Sequence, residues 1–123
     1  MSIFVGDAAK LFENTEWISI VTQGEEGPHA VACWGAHIRQ LGIQDGDIIL
    51  VPAGSYNTTE FNLKRDPRVV VQMASSLVPS QLSLGRGGVF HGTATVETSG
   101  SLAEKVQAVF PWARGALVLR LER

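Results

Sequence analysis

The sequence predicts an α+β protein, mainly β, built around a six-stranded antiparallel Greek-key barrel with short helices inserted one at a time. Two observations carry this reading. Six short β-rich runs are separated by Gly, Pro, Asn and Asp turn signals, and no regular alternation of strand and helix demands a parallel sheet. The chain has 123 residues, 45% of them hydrophobic and 18% charged, which fits one domain over residues 1–123 with a single core. A domain of that size buries roughly two-thirds of the surface its unfolded chain exposes.

The first helix is expected over Asp7 to Phe12, broken by Asn14 and Thr15. Trp17 to Thr22 and His29 to Trp34 flank the turn Gly24 to Pro28, and so form an antiparallel hairpin. Asp45 next to Gly46 marks a turn that leads into a strand over Ile48 to Val51. A helix over Thr58 to Arg65 must stop at Asp66, because Pro67 disfavours helical geometry in the residue before it. Arg68 to Ala74, with three consecutive valines, is strand again. Leu77 to Gly88 has no period and reads as a loop, and its glycines do not make a dinucleotide fingerprint. Val89 to Thr98 alternates as one long strand, bent at Gly92. Ser101 and Glu104 have capping-box spacing at the start of a helix over Leu102 to Val109, and Gly115 to Leu121 is the last strand.

Chemistry concentrates between Asp47 and Val71. An apolar run stops at Pro52 and Gly54, passes Ser55, and opens a helix at Asn57. The first backbone N–H groups of a helix lack internal partners and carry the positive end of its dipole, so this junction suits an anion such as a phosphate. Ser55, Asn57, Thr58 and Thr59 add side-chain donors at the same place. The same residues also allow a plainer role, because Asn57 and Glu60 have the spacing of a capping box.

Composition excludes several classes. A net charge of −2 with scattered basic residues argues against nucleic acid as a partner. Cys33 is the only cysteine, and His29, His37 and His91 lack metal-ligand spacing, so no disulfide or metal site is expected. No basic leader and no long apolar run appears, which predicts a cytoplasmic protein with no membrane segment. High apolar content in so small a chain predicts a second copy covering part of the surface. No nucleophile elbow or Ser/His/Asp spacing supports a hydrolase.

Four blocks then occur in a familiar order: VTQGEEGPHAVACW (Val21 to Trp34), VPAG with its Thr-rich continuation (Val51 to Thr59), RDPRVVV (Arg65 to Val71) and FPWARGALVL (Phe110 to Leu119). In these the chain resembles the small FMN-binding proteins of sulfate-reducing bacteria, minimal members of the split-barrel flavoproteins related to pyridoxamine 5′-phosphate oxidase. The resemblance covers nearly the whole chain and is weakest in the first helix and the 77–88 loop. It implies a six-stranded split barrel, a homodimer, and FMN near the subunit interface. It also implies that the phosphate lies against Ala32, Cys33, Ser55, Asn57, Thr58 and Thr59. The flavin ring would rest near Trp34, the backbone of Pro52, Ala53 and Gly54, and Trp112. Taken alone, Trp34 and Trp112 serve a core or interface as readily as a ligand, and a lone Cys33 in an apolar strand reads as a small buried hydrophobe.

The chain departs from the family pattern in carrying Ala32 and Cys33 at usually polar positions and Thr58 where a lysine is usual. Each lost charge-assisted hydrogen bond weakens anion binding by about 10- to 100-fold. Arg86 or Arg39 is a candidate to compensate. The functional expectation is a small redox protein that passes electrons between FMN and a protein partner. The alternatives are a flavin reductase using NAD(P)H and a non-redox module for another phosphate-bearing ligand.

Overall fold

The computed structural model describes residues 2–81 and 84–123. Its helices are α1 (Gly6–Asn14), α2 (Gly35–Leu41), α3 (Asn57–Arg65) and α4 (Ser101–Val109). Its strands are β1 (Trp17–Gly24), β2 (Gly27–Trp34), β3 (Ile43–Gln44), β4 (Ile48–Ala53), β5 (Arg68–Ser75), β6 (Arg86–Glu97) and β7 (Gly115–Leu121). The strands form one antiparallel sheet in the order β2-β1-β5-β6-β7-β4-β3. All six expected strands are present. Two corrections follow: a seventh strand, β3, extends the sheet, and no ladder joins β2 to β3 among the described residues, so the sheet is open rather than a closed barrel.

Alternation decides which face of each strand turns inward. In β1, Ile18, Ile20 and Thr22 are buried while Trp17 and Gln23 are exposed. Cys33, Ile20, Val71, Phe90, Leu119 and Val51, one from each strand between β2 and β4, join a single apolar cluster with Leu11 and Phe12 of α1. Strands from both ends of the sheet share one core, so the sheet curls around it. Strands β4 and β7 are buried on both faces, because Leu50 and Val118 also pack against Val106 and Phe110 in a second cluster. Such double burial explains why their sequences are continuous apolar runs.

Helix α2 was not expected. It starts directly after a strand and shows only Ile38 and Leu41 as periodic apolar residues, too little for a helical signal. Gly35 is required there, since a Cβ would collide with the Thr15 carbonyl oxygen. Strand β6 begins three residues before its expected start, because Arg86, Gly87 and Gly88 pair with Ser75, Ala74 and Met73. Leu82 and Ser83 of the expected loop lie outside the described residues. No helix among the described residues is long and apolar enough to cross a membrane.

Candidate functional site

Strand β4 delivers the chain to Ala53, whose carbonyl accepts the backbone N–H of Arg114 at 2.8 Å. Gly54 is the first exposed residue beyond it, and a Cβ there would lie 3.2 Å from Cζ3 of Trp112. The indole therefore rests over bare backbone. Tyr56 then adopts the left-handed conformation (φ 53°, ψ 36°) that turns the chain into α3, and it offers no side-chain cap. The Asn57–Glu60 capping box does not form. Glu60 instead receives Arg114 Nη2 at 2.9 Å and lies 3.8 Å from Lys64 Nζ. Ser101 likewise leaves the α4 start without a side-chain cap.

Ser55, Asn57 and Thr58 are exposed, whereas Thr59 is fully buried and its hydroxyl has no hydrogen-bond partner among the described residues. A buried hydroxyl left unpaired costs about 1–3 kcal/mol, so it marks a site that a ligand can complete. Pro52 and Ala53 are buried in β4 and present no side chain to solvent.

The other expected residues lie on β2. Ala32 and Trp34 point outward, and Trp34, 58% exposed, pairs directly across the strands with Trp17, 53% exposed. A 410 Å³ groove is lined by Trp17, Ala32, Cys33 and Trp34. Tyr56 ties this edge to the α3 start, its hydroxyl donating to the Ala32 carbonyl at 2.8 Å. Burial, with Cys33 close by, pushes the phenol up to about 12. Burial also pushes the Cys33 thiol up to about 11, so the side chain is a neutral apolar group at physiological pH. Trp112, 58% exposed, meets Phe110 edge-on at 5.7 Å and His37 at 6.3 Å.

The expected residues thus form two groups, the 54–59 turn with Trp112 and the outward edge of β2, joined through Tyr56. Sequence reasoning missed Tyr56, Trp17 and Arg114. Trp17 carried a signal, because it is a large aromatic on the outward side of an alternating strand, which it shares with Ser19, Val21 and Gln23. Neither arginine proposed as compensation reaches the turn. Arg39 donates Nη1 to the carbonyls of Phe12 and Thr15, and Arg86 pairs with Asp7 at 3.4 Å and with the Pro79 carbonyl. A larger groove of 470 Å³, lined by residues including Thr22, Arg68 and His91, contains none of the expected residues.

No family model matches the chain. Among solved structures, a variant of HupZ from Group A Streptococcus superposes with a TM-score of 0.76 at 16% identity, covering 98% of this chain and 97% of that one. A protein from Clostridium acetobutylicum related to general stress protein 26, of the pyridoxinephosphate oxidase family, superposes with a TM-score of 0.66 at 15% identity over 97% and 84% of the two chains. These likenesses define the class, a mainly β fold of split-barrel type. In sequence, the chain is 38% identical over 114 residues to the FMN-binding protein of Nitratidesulfovibrio vulgaris (strain DSM 19637 / Miyazaki F), covering 93% of this chain and 90% of that protein. The chain belongs to this family of small FMN-binding proteins.

Proposed function

We propose that this chain is a small FMN-binding redox protein that works as a homodimer and exchanges electrons with a protein partner. The observation that carries the reading is the family relationship across nearly the full length of both chains, the relative being named for FMN binding. The residues present fit the cofactor. The α3 start has no side-chain cap, the Thr59 hydroxyl beside it is unpaired among the described residues, and Gly54 leaves its backbone bare beneath Trp112.

In this reading Ser55, Asn57, Thr58 and Thr59 hold the phosphate against Ala32 and Cys33 of β2, while Trp34, Trp112 and the backbone of Pro52, Ala53 and Gly54 flank the ring. FMN, when bound, takes up and releases one or two electrons. The chain's own part is to bind, to orient and to exclude water on one side. Support for a second copy comes from the outward residues of β2 and β1, namely Pro28, Ala30, Ala32 and Trp34 with Trp17, Ser19, Val21 and Gln23, none of them charged. Depletion of charge around exposed aromatics is the composition of an interface core. Ala32 and Trp34 lie on that face, so a partner there would complete the ligand site.

Two measurements test the proposal. Fluorescence titration should show saturable FMN binding well below ~1 mM, the concentration equivalent to about −4 kcal/mol. Anaerobic stopped-flow of the loaded protein should show rapid reduction by dithionite or a low-potential redox protein and slow reduction by NADH and NADPH. Fast, saturable reduction by a nicotinamide would make it a flavin reductase instead.

A further inference from the structure

We infer that Arg114 selects for phosphate at this site, supplying the cation that the 55–59 turn lacks, so that a phosphate-bearing flavin binds in preference to its phosphate-free counterpart. The inference rests on the FMN reading above. Ser55, Tyr56, Asn57, Thr58 and Thr59 include no basic side chain, and Arg39 and Arg86 are committed to other contacts. Arg114 is anchored against the turn. Its backbone N–H donates to Ala53, its Nε and Nη2 donate to the Ser55 carbonyl at 3.1 and 2.6 Å, and Nη2 also reaches Glu60 Oε1 at 2.9 Å.

Those contacts use Nε and Nη2 and leave Nη1 without a partner among the described residues. The guanidinium is therefore fixed in place with a donor edge still available, on a side chain 31% exposed. It also neutralises Glu60. An unpaired carboxylate in the first turn of α3 would repel an anion, whereas Arg114 and Lys64 together outnumber it.

The test is a fluorescence titration of FMN and of riboflavin with four proteins: wild type, Arg114→Gln, Arg114→Lys and Glu60→Gln, each checked for native circular dichroism. Wild type should prefer FMN. Arg114→Gln should lose about 10- to 100-fold in FMN affinity with riboflavin nearly unchanged. Arg114→Lys should keep most of the preference, and Glu60→Gln should strengthen FMN alone by leaving the Arg114 charge uncompensated. Equal losses of both flavins in Arg114→Gln, or weakening of both in Glu60→Gln, would make Arg114 a structural brace and overturn the inference while FMN binding stands. Equal wild-type affinity for the two flavins would do the same. If wild type binds neither, the FMN reading itself fails. If Arg114→Gln does not fold, the lysine and Glu60 variants decide the matter.

Discussion

Thr59 carries a hydroxyl that the fold buries without a partner among the described residues. Thr59→Val keeps the shape and removes the unpaired group, so the ligand-free protein should gain about 1 kcal/mol, or ~3–6 °C in Tm. FMN affinity should fall at the same time. A gain in Tm without loss of affinity would place the phosphate elsewhere. Cys33 gives a second prediction. Burial raises its thiol from 9.0 to about 11, so the group favours the folded state fully below pH 9 and that contribution is lost between pH 9 and 11. A shift of that size is on the order of 3 kcal/mol. Tyr56 extends the alkaline loss, from 10.0 up to about 12. Denaturant midpoints of wild type should drop between pH 8 and pH 11, and Cys33→Ala should drop less. The burial of Cys33 was legible from its lone position in an apolar strand. The role of Arg114 was not, because its partners Ser55 and Glu60 lie far away in sequence and only the turn brings them together.

At the scale of elements, alternation and turn chemistry located the hairpin well: it runs in register from Trp17–Trp34 to Gly24–Gly27. The same rules failed for α2 and β3, which are too short to show a period. They also failed for the capping boxes, because Glu60 answers to Arg114 rather than to its own helix start. Gly92 was expected to mark a bend, and the structure supplies a close approach: it pairs with Val69 of β5 and Leu121 of β7, and a Cβ would collide with the Arg120 carbonyl oxygen. No rotamer change relieves a clash with backbone. Gly92→Ala should therefore cost more than ~2 kcal/mol in a denaturant titration, far above the effect of a surface substitution. A loss under ~0.5 kcal/mol would mean that β6 and β7 separate easily at this point.

For the whole molecule, the uncharged outward face of β1 and β2 yields a test of assembly. Light scattering should give about twice the 13.2 kDa chain mass. Trp17→Glu, which places a charge at an exposed position of that face, should give a folded species of single-chain mass with weakened FMN binding. A wild-type monomer with FMN fully bound would sink the interface reading. Strand order has a further consequence, for the time course of folding. The hairpin β1–β2, the run β5–β6–β7 and the pair β3–β4 are local, but the ladders joining them link distant segments, as in Ile20 with Val71 and Leu50 with Val118. Loop-closure entropy opposes both ladders, so refolding in a stopped-flow experiment should take milliseconds to seconds. During synthesis, β4 emerges with both faces apolar and waits for β7, which is made only after α3, β5, β6 and α4. A ribosome-bound chain stopped before Gly115 should therefore hold β4 without its β7 neighbour, paired only with the two residues of β3, and release of that fragment should give aggregate rather than a folded core.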